Sequence, residues 1–180
     1  NLKVTVKYIL NDKGLAISFF AETDMPTIVN LTNHTYFNFS GFEDENIYNH
    51  WLQIFADSYL VKNSDNIPTG EIAPVKDTVF DFNSPKRIGK DIGSLAEDKG
   101  YDHDFVLNTA EGNLVHAAQL SDPQSGRMLK VYTDSPGVHI YTANWWDGTL
   151  VGQQGKALLQ HGAIALETQA FPDAPNHAHF

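Results

Sequence analysis

An all-β domain is the reading that the 180 residues support. Apolar and polar side chains alternate with a period of two near the N-terminus, and turn-forming clusters of Asn, Asp, Gly and Pro separate nearly all later apolar runs. No long segment carries apolar residues at helical spacing. So many short strands in one chain suggest a sandwich or barrel whose longer loops carry binding sites.

The first strand puts Leu2, Val4, Val6, Tyr8 and Leu10 on one face and Lys3, Thr5 and Lys7 on the other, the pattern of a half-buried strand. Asn11-Asp12-Lys13-Gly14 supplies a turn, and Leu15, Ile17 and Phe19 resume the period, so residues 2–22 read as an antiparallel hairpin. A third strand is expected after Pro26, over residues 27–37. Shorter strands follow at 51–55, 105–107, 115–120, 128–133, 138–142 and 163–168. Residues 92–97 have room for a helical turn or two. Residues 63–74 and 81–93 read as long ordered loops, because apolar residues such as Ile67, Ile72, Phe82 and Ile88 punctuate them. No repeat or low-complexity tract divides the chain, so residues 1–180 are expected to belong to a single domain.

Hydrophobic residues make up 42% of the chain, enough to build a core and to exclude disorder as the dominant state. The net charge is −10, and Arg87 and Arg127 are the only arginines. That balance argues against a nucleic-acid surface, which needs clustered positive charge to displace counterions. A small or neutral partner fits better. Cysteine is absent, which removes disulfides, thiolate metal sites and a Cys nucleophile from consideration. No apolar run approaches the ~20 residues of a membrane helix, and the cytoplasm is taken as the default compartment.

Several segments combine polar chemistry with strand pattern. In a regular third strand, His34 shares a face with Asn30, Thr32 and Tyr36, a polar and aromatic row. An imidazole titrates near about pH 6.5 and exchanges protons at neutral pH with little tuning; the plainer reading is a hydrogen-bonded structural histidine. Glu167 shares a face with Ala163, Ala165 and Gln169, and a carboxylate beside two alanines has room in front of it. Burying an unpaired Glu is costly unless it is hydrogen-bonded or used, so its place in an apolar segment hints at function, against the alternative of an edge-strand Glu facing water. Tyr101-Asp102-His103-Asp104-Phe105 sets two carboxylates and an imidazole at a strand start, as a site or as a solvated turn. The aromatic segment 136–146 contains His139 and fits either core packing or a ligand surface. His177-Ala178-His179 has no further ligand at a recognisable metal spacing.

Taken in order, these stretches resemble the successive motifs of the aldose 1-epimerases, also called galactose mutarotases. The motifs are Asn33-His34-Thr35-Tyr36-Phe37-Asn38 with Gly41; Ile67-Pro68-Thr69-Gly70-Glu71-Ile72; Asp77 to Phe82 with Ile88-Gly89; and Tyr101 to Phe105. Pro136-Gly137-Val138 with Tyr141 and Asn144 follows, then Leu166-Glu167-Thr168-Gln169 with Pro172 to Asn176. Each is weak alone; six in sequence are specific.

The resemblance implies a galactose-mutarotase-like β-sandwich (supersandwich) that binds a free hexose monosaccharide and interconverts its α and β anomers without a cofactor or metal. It implies His34 as general acid, Glu167 as general base and Asp102 as acceptor of a sugar hydroxyl, with Thr35 and Tyr36 in the substrate pocket. His139 falls where many relatives carry a substrate-contacting Gln, and the resemblance implies that it binds the substrate, since a histidine can still reach a sugar hydroxyl from there. Opening a hemiacetal needs a base for the anomeric hydroxyl proton and an acid for the ring oxygen, which an ionised Glu and a protonated His supply. Relatives are expected to carry a further N-terminal part with a second active-site histidine and an Asn-Arg pair, and final strands beyond Phe180. The chain therefore reads as a partial domain of reduced activity. Three rivals stay open: an inactive fragment of an epimerase, a non-catalytic sugar-binding module of the same fold, and a glycoside hydrolase using Glu167 with Asp102 as its carboxylate pair.

Overall fold

The computed structural model describes residues 1–108, 113–153 and 155–180, which form two compact units, Asn1–Leu31 and Thr32–Phe180. The first is a hairpin of β1 (Leu2–Asn11) and β2 (Gly14–Thr23), paired without a bulge from Leu2 opposite Thr23 to Asn11 opposite Gly14. Leu2, Val4, Val6, Tyr8 and Leu10 lie across from Thr23, Ala21, Phe19, Ile17 and Leu15, so the expected apolar face exists. Its burial does not follow: Tyr8, Leu10 and Leu15 are 58%, 80% and 56% exposed. Alternation reports which side chains share a face; two strands contain no second layer of their own to cover it.

The expected third strand shrinks to β3, Tyr36–Phe37, which pairs with Ala165 and Ile164. Residues 26–35 carry no ladder. The Asn33 side chain accepts from both the Thr35 amide and the Thr35 hydroxyl, a local turn that competes with an extended ladder. Thr32 reaches its neighbour by side chain instead, donating from Oγ1 to the Thr168 carbonyl at 2.9 Å.

In the second unit, β4 (Trp51–Ile54), β7 (Lys86–Arg87), β9 (Val115–Asp122) and β10 (Arg127–Thr133) form a four-stranded sheet in the order β10-β9-β4-β7. A six-stranded sheet runs β3-β14-β11-β8-β5-β6, with β5 at Ser58–Lys62, β6 at Pro68–Pro74, β8 at Asp102–Val106, β11 at Gly137–Tyr141 and β14 at Ile164–Gln169. All pairings are antiparallel. Leu52, Ile54, Ala118 and Leu120 from the first sheet and Phe105, Val138, Ile140, Ile164 and Leu166 from the second share one buried cluster, which makes the pair a sandwich.

Several segments differ from expectation. Residues 68–74 are an edge strand, not loop; Pro68 and Pro74 sit at its ends, where a missing N–H does least harm. Strand β8 begins at Asp102, three residues early, and β5 was not anticipated. A small hairpin, β12 (Asp147–Val151) with β13 (Ala157–Leu159), was also hidden, because most of its residues are exposed and they carry no apolar alternation. The helical turn near residue 92 is a single 3-10 turn, Ile92–Ser94. Among the described residues no helix is long and apolar enough to cross a membrane.

Candidate active site

On the six-stranded sheet, alternation separates two faces. Val138 and Ile140, Ile164 and Leu166, and Phe105 enter the core, so their neighbours in sequence project from the opposite face. Cross-strand register then sets those neighbours in rows. Glu167 on β14, His139 on β11 and Asp104 on β8 lie directly opposite one another. The adjacent row is Tyr36 on β3, Ala165 on β14, Tyr141 on β11 and Asp102 on β8. Ala165 keeps the middle of that row low.

A cavity of about 370 Å³ opens on this face, lined by His34, Asp102, His139, Tyr141, Trp145, Glu167, Gln169 and Pro172. Its size falls at the small end of the range for small-molecule pockets. His34, on the segment leading into β3, sets Nε2 3.2 Å from Glu167 Oε1; the imidazole is half exposed and the carboxylate buried. The His34 ring is held against Tyr36 at 4.8 Å and edge-on to Tyr141 at 6.2 Å. Burial lifts the Glu167 carboxyl above its ordinary range, His139 and His34 pull it back, and the outcome is a net rise.

Asp102 owes its position to a buckle between two strand ends. The Thr142 hydroxyl accepts from the Tyr101 backbone amide at 2.9 Å, and the Asn144 side chain donates from Nδ2 to the Tyr101 and Asp98 carbonyls. Gly100, at φ +144°, makes this possible: a Cβ there would stand 2.3 Å from Asn144 Oδ1. Burial acts to raise the Asp102 carboxyl, but the His139 hydrogen bond and the charges of His139 and Lys62 carry it below its ordinary value.

His139 donates from Nε2 to Asp102 Oδ1 at 2.9 Å, while Nδ1 faces Asp104 Oδ2 at 3.1 Å in an ion-pair contact without hydrogen-bond alignment. Burial opposes the charge, yet the two carboxylates push this imidazole up to about 10. His103, one residue along β8, behaves oppositely: burial and Lys62 push it down to about 4, and its Nδ1 accepts from the Asp102 amide.

Of the residues singled out from sequence, the fold therefore gathers His34, Glu167, Asp102 and His139 around one cavity. Tyr36 stands behind them, its ring tilted against His34 at 4.8 Å and against Trp146 at 4.7 Å. Thr35 does not line the cavity; its hydroxyl donates to Asn33. Sequence reasoning left out Asp104, Gln169, Tyr141 and Trp145 as site residues. For Asp104 the signal was available, since alternation puts it on the face of Asp102. Exposed Trp145 offers a flat surface for stacking at the rim. Among the described residues no cluster of three His, Asp or Glu side chains is arranged to hold a metal ion. His177 and His179 instead fasten the C-terminal segment to β6, at the Pro68 and Gly70 carbonyls.

The family model described as aldose 1-epimerase matches residues 1–180. Galactose mutarotase from Sus scrofa is 42% identical over 179 residues, and aldose 1-epimerase from Escherichia coli K12 is 38% identical over 183. Each alignment takes in 98% or more of this chain and 52% of the relative, so the chain spans about half the length of the curated relatives it matches. Two crystal structures superpose on it: an aldose epimerase homologue from C. elegans (TM-score 0.85, 30% identity, 99% of this chain and 54% of the other) and galactose 1-epimerase from Lactobacillus acidophilus (0.80, 33%, 96% and 49%).

Proposed function

The chain belongs to the aldose 1-epimerase family, and from that premise we propose that its cavity takes a free hexose and interconverts the α and β anomers by acid–base ring opening and reclosure. The observation that carries the reading is the 3.2 Å contact between His34 Nε2 and Glu167 Oε1 on the cavity wall. Both oxygens of a hemiacetal hang on one carbon, so an acid for one and a base for the other have to be neighbours. A pair this close, one member buried and the other open to solvent, suits that demand.

In this reading Glu167 removes the proton of the anomeric hydroxyl while His34 protonates the ring oxygen as the C1–O5 bond breaks. The aldehyde turns about C1–C2 and the ring closes on its other face. The two proton transfers then run in reverse, so both residues return to their starting states. Asp102, held ionised, accepts a sugar hydroxyl, and Trp145 offers its face to the sugar's C–H groups.

Polarimetry on freshly dissolved α-glucose or α-galactose tests this. The chain is expected to speed the approach to anomeric equilibrium, and Glu167→Gln to remove about 10³-fold of that acceleration, the scale of a positioned general base. An unchanged rate in Glu167→Gln would remove Glu167 as the base, and sugar binding with no acceleration by the parent chain would instead mark a carbohydrate-binding module.

A further inference from the structure

We propose that His139 is a positioning residue, a fixed imidazolium clamped between Asp102 and Asp104, that sets the charge of the site and does not itself contact the sugar. The proposal rests on the reading of Glu167 as the base and Asp102 as a hydroxyl acceptor.

Geometry supplies the first support. Both ring nitrogens face carboxylates, Nε2 to Asp102 at 2.9 Å and Nδ1 to Asp104 at 3.1 Å. A carboxylate can only accept, so a ring flanked in this way is at home doubly protonated and has no lone pair to offer. Asp104 is buried and secured from the far side, where Gln169 Nε2 donates to its Oδ1 at 3.2 Å. The ring is thus gripped through Gln169, Asp104 and Asp102, from β14 and β8 on either side of its own strand.

Charge supplies the second. Glu167, His139 and Asp104 occupy one cross-strand row, with Asp102 in the next. Three carboxylates on the two strands that flank β11, on a largely buried face, repel one another and drive at least one toward the protonated form. The groups acting on this cluster are Asp102 and Asp104 from β8, Glu167 from β14, His34 from the segment before β3, and Lys62 from β5, which acts on Asp102 and His103. Lys62 is engaged with Asp98 at 2.8 Å, and His103 is held neutral. His139 is therefore the cation set between Asp102 and Asp104, while His34 lies against Glu167. It works against the burial that lifts the Glu167 carboxyl, and it keeps Asp102 an acceptor.

Imidazole nitrogen and carboxyl carbon NMR on the full chain tests this without needing turnover. The His139 ring should keep both protons through pH 8. In Asp104→Asn its titration midpoint should fall, and in His139→Gln the Glu167 midpoint should rise. Where turnover is measurable, His139→Gln should lower kcat about tenfold with KM little changed and displace the acid limb of the rate profile to higher pH. A His139 ring that loses a proton near pH 6.5, or a Glu167 midpoint indifferent to His139→Gln, overturns the proposal. A chain silent in polarimetry whose midpoints move as described would sink the epimerase reading and leave the His139 clamp standing.

Discussion

The hairpin of residues 2–23 and the three strands β8, β11 and β14 obey the same rule of alternation and put it to opposite use. In the hairpin the apolar face takes in five of the ten cross-strand residue pairs, yet Leu10 is 80% exposed. In the three central strands both faces are protected: Val138, Ile140, Ile164 and Leu166 are buried in the core, and Glu167 and Asp104 are buried on the far side. The difference teaches that a period of two divides side chains between faces, whereas neighbouring strands and layers decide what each face meets. Polar residues on the central strands are buried because each strand there has a partner on both edges.

The comparison can be tested at both ends. Ile140→Ala empties a fully buried position between two strands and is expected to cost about 2–5 kcal/mol, read from the urea midpoint. A cost below 1 kcal/mol would mean that the core between the sheets is not close-packed. A smaller, pH-dependent effect is expected from His139. Its folded-state value of about 10 lies above the ordinary value near about 6.5, so the stability it contributes is complete below about pH 6.5 and is lost as pH rises through about 10. The stability difference between the parent chain and His139→Gln should shrink over that window; a difference flat from pH 6 to 10 would remove the clamp. Least of all, Val6→Thr on the exposed hairpin face should change stability by less than about 0.5 kcal/mol. A larger loss would show that this face is covered in solution, and would erase the contrast.

Much of the site was legible along the chain. The split of β14 into Ala163, Ala165, Glu167 and Gln169 against Ile164, Leu166 and Thr168 follows from strand geometry alone, and the motif order brought His34, Asp102, His139 and Glu167 together as one group. The face given to His34 by a regular third strand was not legible, because Asn33 turns the backbone locally and the ladder is two residues long. Edge strand β6 was hidden by its own composition, since proline and glycine read as loop when the partner that tolerates them, β5, is unseen. Asp104 was passed over because a carboxylate next to a strand start looks like solvated turn until register sets it opposite His139.

The amino-acid sequence by itself determined the all-β class, the period of two along the strands and the residue types that acid–base sugar chemistry needs, all of which are local properties of the chain. Tertiary structure decided the charge states. Whether an imidazole is held at about 10, as His139 is, or pushed down to about 4, as His103 is, depends on which carboxylates and cations other strands bring within about 3–4 Å and how much water they exclude. These two histidines, on paired strands β11 and β8, are chemically identical in the sequence and differ only in the company that the sheet register gives them.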